Sequence, residues 1–225
     1  MSATTTKMTM SDGAEIAVYH AQPEGTRRGG LVLVQEIFGV TDHIRSLCDG
    51  YAADGFEVLA PAVFDREHPG FEAEYSGEGF ARGVELASKL HPFELTLADV
   101  QTCIDSLADK GPVFVVGYCY GGSVAWKAAT SLRGVAAVSG YYGSMIPDAA
   151  DEEPKVPTIL HFGKKDDHIP LAGVEKVIAK DWANATVYLY DAGHGFNSDR
   201  RDDYDAESAK LAKQRTLDLF AANGG

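Results

Sequence analysis

Cysteine is scarce in this 225-residue chain, basic residues are outnumbered, and no apolar run approaches the length of a membrane span. Each shortage removes a class of protein. Cys48, Cys103 and Cys119 form an odd set without framework spacing, which excludes a disulfide scaffold and a cysteine-based metal site. With 20 Lys and Arg against 33 Asp and Glu, the formal charge is −13. No basic stretch offsets it, so neither nucleic acid nor an anionic membrane is an expected partner. The polar segment from Met1 to Lys7 has no signal-peptide core. HExxH and Walker A patterns are absent, and so is GxGxxG spacing after an early strand. Without repeats or low-complexity linkers, residues 1–225 read as one domain: a soluble, cytoplasmic protein, by default a monomer.

What is present is an alternation of strands and helices. Lys7–Met10 and Ala14–His20 flank Ser11-Asp12-Gly13, an Asp-Gly turn that predicts a hairpin. Continuous apolar runs at 30–35, 56–61, 113–116, 135–139, 156–162 and 185–190 predict strands covered on both faces. Helical spacing falls between them, with Asp42 as the expected cap of a helix ending at Ala53 and further helices over 95–107 and 171–180. The last helix, 205–222, should bury Ser208, Leu211, Ala212, Thr216, Leu219 and Phe220. The stretch from Val63 to Pro92 breaks the rhythm, with a short helix near 80–90, and excursions of that length often line a site. The expected class is α/β: a doubly wound, mainly parallel sheet with an N-terminal antiparallel hairpin.

The chemistry concentrates at strand ends. Val113–Val116 leads into Gly117-Tyr118-Cys119-Tyr120-Gly121-Gly122, and a helical segment follows. Strand, sharp turn and helix, with glycine two residues either side of the central residue, is the context of a nucleophile elbow. Here the central residue is Cys119, and a helix N-terminus behind it favours a thiolate. The bland alternative is a small buried hydrophobe. A thiol nucleophile needs a base, and the base needs an orienting group. After the 156–162 strand come Asp166-Asp167-His168-Ile169-Pro170. The two aspartates compete, and the register to Ile-Pro favours Asp166, the alternative being ordinary turn residues. After the last strand comes Gly193-His194-Gly195-Phe196. Histidine can take and return a proton near neutrality, and His168 is the rival only at the cost of leaving Asp166 unused. Nucleophile, acid, histidine is the chain order of α/β-hydrolase folds.

These residues, with Gln35-Glu36-Ile37-Phe38-Gly39 after the first core strand, resemble the dienelactone hydrolase family over nearly the whole chain. The resemblance implies a Cys119–His194–Asp166 triad that hydrolyses a small-molecule lactone or ester through an acyl-enzyme, with no metal or organic cofactor. It also implies that Glu36 switches the nucleophile between thiol and thiolate. Backbone N–H groups of Tyr120 and Ile37 would hold the oxyanion. Arg82 would clamp a substrate carboxylate, and Tyr142 would line the pocket. A second family arginine falls where this chain has Ser198, with Arg200 and Arg201 shortly after. That departure leaves a neutral-ester carboxylesterase as the alternative. A non-catalytic binding or thiol redox-sensing protein on the same fold is the reading from another class.

Overall fold

A computed structural model describes residues 2–225. Eight strands form one sheet in the order β1-β2-β4-β3-β5-β6-β7-β8: Ser2–Thr9, Glu15–Gln22, Gly29–Val34, Phe56–Pro61, Val113–Tyr118, Ala137–Tyr141, Thr158–Gly163 and Ala185–Tyr190 as β1 to β8. β1 pairs with β2, and β2 with β4, antiparallel; every later pairing is parallel. This is the mainly parallel sheet that the alternation predicts. The hairpin is longer than expected, with Ser2 opposite Gln22. Six α-helices accompany the sheet: Asp42–Ala53, Gly77–Glu85, Phe93–Leu107, Tyr120–Ser131, Leu171–Ile178 and Ala206–Ala222 as α1 to α6.

The buried strands β3, β4 and β5 carry apolar side chains on both faces because helices cover both. On one side Ile44, Cys48 and Tyr51 of α1 pack with Ala212 and Phe220 of α6. On the other, Val100, Cys103 and Ile104 of α3 pack with Val124 and Ala128 of α4. Cys48 and Cys103 are therefore core residues, and burial pushes both thiols well above their ordinary range. Three local expectations are corrected. Thr41, not Asp42, occupies the cap of α1, while Asp42 lies inside the first turn and pairs with Arg45. The inner stripe of α6 narrows to Ala212, Thr216 and Phe220, leaving Leu211 46% exposed. The helix expected near 80–90 begins at Gly77 and finishes in a π turn, Leu86–Leu90, where the His91 N–H donates to the Leu86 carbonyl at 2.9 Å.

Polar groups tie the sheet to α6. His161 on β7 lies between the Tyr190 hydroxyl at 2.8 Å and Ser139 Oγ at 3.2 Å, with Thr216 Oγ1 2.8 Å from Ser139. Full burial holds His161 neutral, its pKa pushed down to about 3. The excursion between β4 and α3 folds back over the loop after β3. Gly39 bridges to Glu72, and the Ala73 N–H donates to the Phe38 carbonyl at 3.0 Å. Among the described residues, no helix is long and apolar enough to cross a membrane, and no His, Cys, Asp and Glu cluster has the makings of a metal site.

Candidate active site

β5 ends at Tyr118 and α4 starts at Tyr120, so Cys119 alone makes the turn, at φ 55° and ψ −113°. That left-handed conformation is costly for a residue with a side chain and survives only where neighbours fix it. Here they do: the Cys119 N–H donates to the Tyr141 carbonyl at 3.0 Å, and the Gly121 N–H to the Gln35 carbonyl at 3.0 Å. The strain lifts the thiol off the sheet end and into a cavity of about 380 Å3.

The loop after β7 supplies the carboxylate. Asp166 Oδ1 accepts the His168 and Ile169 N–H groups at 2.8 and 2.9 Å, which turns Oδ2 toward His194. His194 Nδ1 donates to Oδ2 at 2.7 Å, and its Nε2 lies 3.3 Å from the Cys119 sulfur. The contest with Asp167 is decided by this turn: Asp167 points to solvent, and Asp166 is buried. His168 is also exposed, and its ring packs edge-on against His194 at 4.9 Å.

Glu36 is fully buried, and neither carboxylate oxygen has a partner at normal hydrogen-bond geometry. Burial therefore raises its pKa to about 7, against the opposing pull of the Arg201 charge and the Tyr75 hydroxyl. Burial likewise pushes the Cys119 thiol up to about 12, and the Glu36 charge adds to the rise. The Tyr120 backbone N–H and Arg201 work the other way, more weakly. The helix N-terminus favours a thiolate, and burial, the larger effect, favours the thiol.

Ile37 and Tyr120 both border the cavity, as Cys119 does. Two other expected residues do not reach it. Arg82 bonds to Glu85 on the solvent side of α2 at 2.5 Å and lines none of the cavity. Tyr142 is fully buried at φ 37°, its ring packs 5.2 Å from that of His194, and it lines none of the cavity. Arg201 occupies the wall instead, its side chain passing where a Cβ on Gly195 would stand. The resemblance left Arg200 and Arg201 open as stand-ins for the arginine missing at Ser198, and of the two Arg201 lines this cavity.

With the geometry in hand, similarity to known proteins can be placed on it. The model of the dienelactone hydrolase family matches residues 16–224. The chain belongs to this family. A Synechocystis protein named "Putative carboxymethylenebutenolidase" is 36% identical over 227 residues, covering 92% of this chain and 91% of that one. A carboxymethylenebutenolidase of Pseudomonas sp. (strain P51) is 31% identical over 216 residues, covering 89% and 88%. Among solved structures, a "Putative Dienelactone Hydrolase" from Klebsiella pneumoniae superposes with a TM-score of 0.83 at 31% identity, over 98% of this chain and 99% of that one. The protein is accordingly a carboxylic ester hydrolase with the α/β-hydrolase fold, acting on a lactone or ester. In this chain Arg82 is paired with Glu85, and Ser198 is buried with no partner for its hydroxyl.

Proposed function

We propose that the protein opens lactones or esters by covalent catalysis at Cys119. The observation that supports this reading is the continuous contact from the Cys119 sulfur through His194 to Asp166, with Cys119 and His194 lining the cavity. As the substrate enters, the Glu36 carboxylate takes the thiol proton. The thiolate attacks the carbonyl carbon, and the Tyr120 and Ile37 backbone N–H groups hold the oxyanion. The tetrahedral adduct collapses to a thioester, and the proton taken from the thiol passes to the leaving oxygen. His194, oriented by Asp166, then removes a proton from water. Hydroxide adds to the thioester, the thiolate leaves, and the proton on His194 returns to it. One water is consumed and the enzyme is restored.

Rapid quenching with an activated ester should leave one acyl group on the Cys119 peptide, read by mass spectrometry. Turnover with no adduct on Cys119, or an adduct elsewhere, would overturn the covalent mechanism.

The role of Glu36 has its own signature. It must be ionised to accept the thiol proton, so kcat/KM should rise with pH through about 7. Glu36→Gln should lose that limb and slow turnover by roughly 100- to 10,000-fold. The same residue carries a stability cost of opposite sign. A carboxylate held near 7 instead of 4.5 favours the folded state below pH 4.5 and loses that advantage as pH rises through 7, about 3 kcal/mol in all. Glu36→Gln should therefore melt higher than wild type at pH 8, with the gap closing by pH 4.

A further inference from the structure

The cavity wall carries a file of rings that begins at His194, whose Nε2 lies 3.3 Å from the Cys119 sulfur. The His168 ring packs on His194 at 4.9 Å, Phe80 on His168 at 6.5 Å, and Phe38 on Phe80 at 6.1 Å. All of these residues line the cavity. Their centroid spacings fall within the ~4.5–7 Å that aromatic pairs adopt, so the file is continuous. Separate segments build it. The His168 backbone is held through its N–H to Asp166 Oδ1 at 2.8 Å. Phe80 comes from α2, which sits so close to the loop after β3 that a Cβ on Gly83 would lie 2.6 Å from the Ile37 carbonyl oxygen. Phe38 belongs to that loop, and its carbonyl accepts the Ala73 N–H at 3.0 Å. Phe80 is half-buried and His168 exposed, so neither ring is consumed by the hydrophobic core.

The position of His194 gives this wall a side. In the mechanism above, His194 takes the proton of the water that opens the thioester. By microscopic reversibility that water enters where the alcohol left, so His194 marks the leaving-group side of the carbonyl. The rings that extend from His194 therefore flank the alcohol half of the substrate. The cavity's 380 Å3 lies in the range that encloses drug-sized ligands, about 300–1,000 Å3.

We propose that this site selects esters whose alcohol half carries an aryl ring, received by His168 and Phe80 through edge-to-face or offset contacts. The proposal rests on Cys119 and His194 acting as described and adds the substrate class. An aromatic pair adds a factor of about 2 to 10 in binding beyond the area it buries.

The test compares 2-phenylethyl acetate with 2-cyclohexylethyl acetate, followed by acid release at constant pH. Both form the same acetyl-enzyme, so deacylation is common to them and the difference falls in kcat/KM. The ring stands two carbons from the reacting oxygen, which keeps the basicity of the two leaving groups alike. Both esters are neutral, so Arg201 treats them equally. Cyclohexyl buries at least as much hydrocarbon as phenyl, so burial alone gives the aryl ester no advantage. The phenylethyl ester should nevertheless be favoured by about 3- to 10-fold. Phe80→Leu and His168→Leu keep apolar bulk and, at 168, the backbone N–H, and each should bring the ratio toward one. Ethyl phenylacetate and ethyl cyclohexylacetate, with the ring on the acyl half, should differ less than the alcohol pair. A wild-type ratio at or below one, a ratio unmoved in both variants, or a larger ratio in the acyl pair would overturn the proposal. Cys119→Ala separates the two levels. If it is inactive on both acetates while the wild type shows no aryl preference, only the substrate class is wrong; if it still hydrolyses them near the wild-type rate, the nucleophile is wrong.

Discussion

Cys119→Ala should lose at least about 1000-fold in turnover while keeping the melting temperature of the wild type within a few degrees. The two halves of that expectation have separate physical grounds. Turnover falls because the sulfur is the atom His194 faces at 3.3 Å, and a methyl group offers neither a nucleophile nor a proton. What remains is water activated by His194 beside the same oxyanion donors, a slower route. Stability is retained because alanine keeps the backbone bond from residue 119 to the Tyr141 carbonyl. It also stays in the same left-handed conformation at the same cost as cysteine. Steady-state rates with an activated ester and a thermal melt check both halves. Activity within tenfold of wild type would remove Cys119 from the mechanism.

Gly121→Ala should be severely destabilising for a change of one methyl group. A Cβ there would stand 2.2 Å from the Val34 carbonyl oxygen and 2.6 Å from that of Gln35. Those atoms are backbone at the end of β3, and the Gln35 oxygen also receives the Gly121 N–H. No rotamer relieves the clash, so either α4 or the β3 end must move. Overpacking a core usually costs about 1–3 kcal/mol when side chains can shift. With backbone on both sides the loss should exceed that range, a large part of the ~5–15 kcal/mol that holds a domain together. Gly50→Ala is the contrast. Gly50 sits inside α1, where an added Cβ would meet only Lys213 Nζ at 3.5 Å, so helix propensity should make this change neutral or stabilising by up to about 1 kcal/mol. Urea unfolding of both variants tests the pair; a Gly121→Ala protein as stable as wild type would mean that the elbow is far looser than its contacts imply.

Much of the architecture was legible because its signals are local. Apolar runs bounded by Gly and Pro marked the strands, and the Asp-Gly turn marked the hairpin. The elbow, the Asp166 loop and the Gly193–Phe196 loop each follow a strand, and parallel strands bring their C-terminal ends to one edge. Chain order was therefore enough to forecast their meeting. Residues outside that logic were misplaced. Arg82 and Tyr142 were drawn from resemblance, and neither lines the cavity: one turn of helix gives Arg82 a partner in Glu85, and Tyr142 is packed beneath His194. Arg201 was left open beside Arg200, and Met145 was not assigned, because loop geometry, which has no periodicity to read, decides which of them reaches the cavity.

By itself the sequence determined the order of the elements, the hairpin and the meeting of Cys119, His194 and Asp166, since each depends on spacing within a short segment. Tertiary structure alone decided the protonation balance of the site. The upward shifts of Glu36 and Cys119 both come first from burial, which the surrounding segments impose only once the chain is folded. It also decided which walls face the sulfur, because the Val63–Pro92 excursion acquires its position only by packing on Phe38 and Ile37. The elbow residue is chosen by the chain, and its reactivity is set by burial.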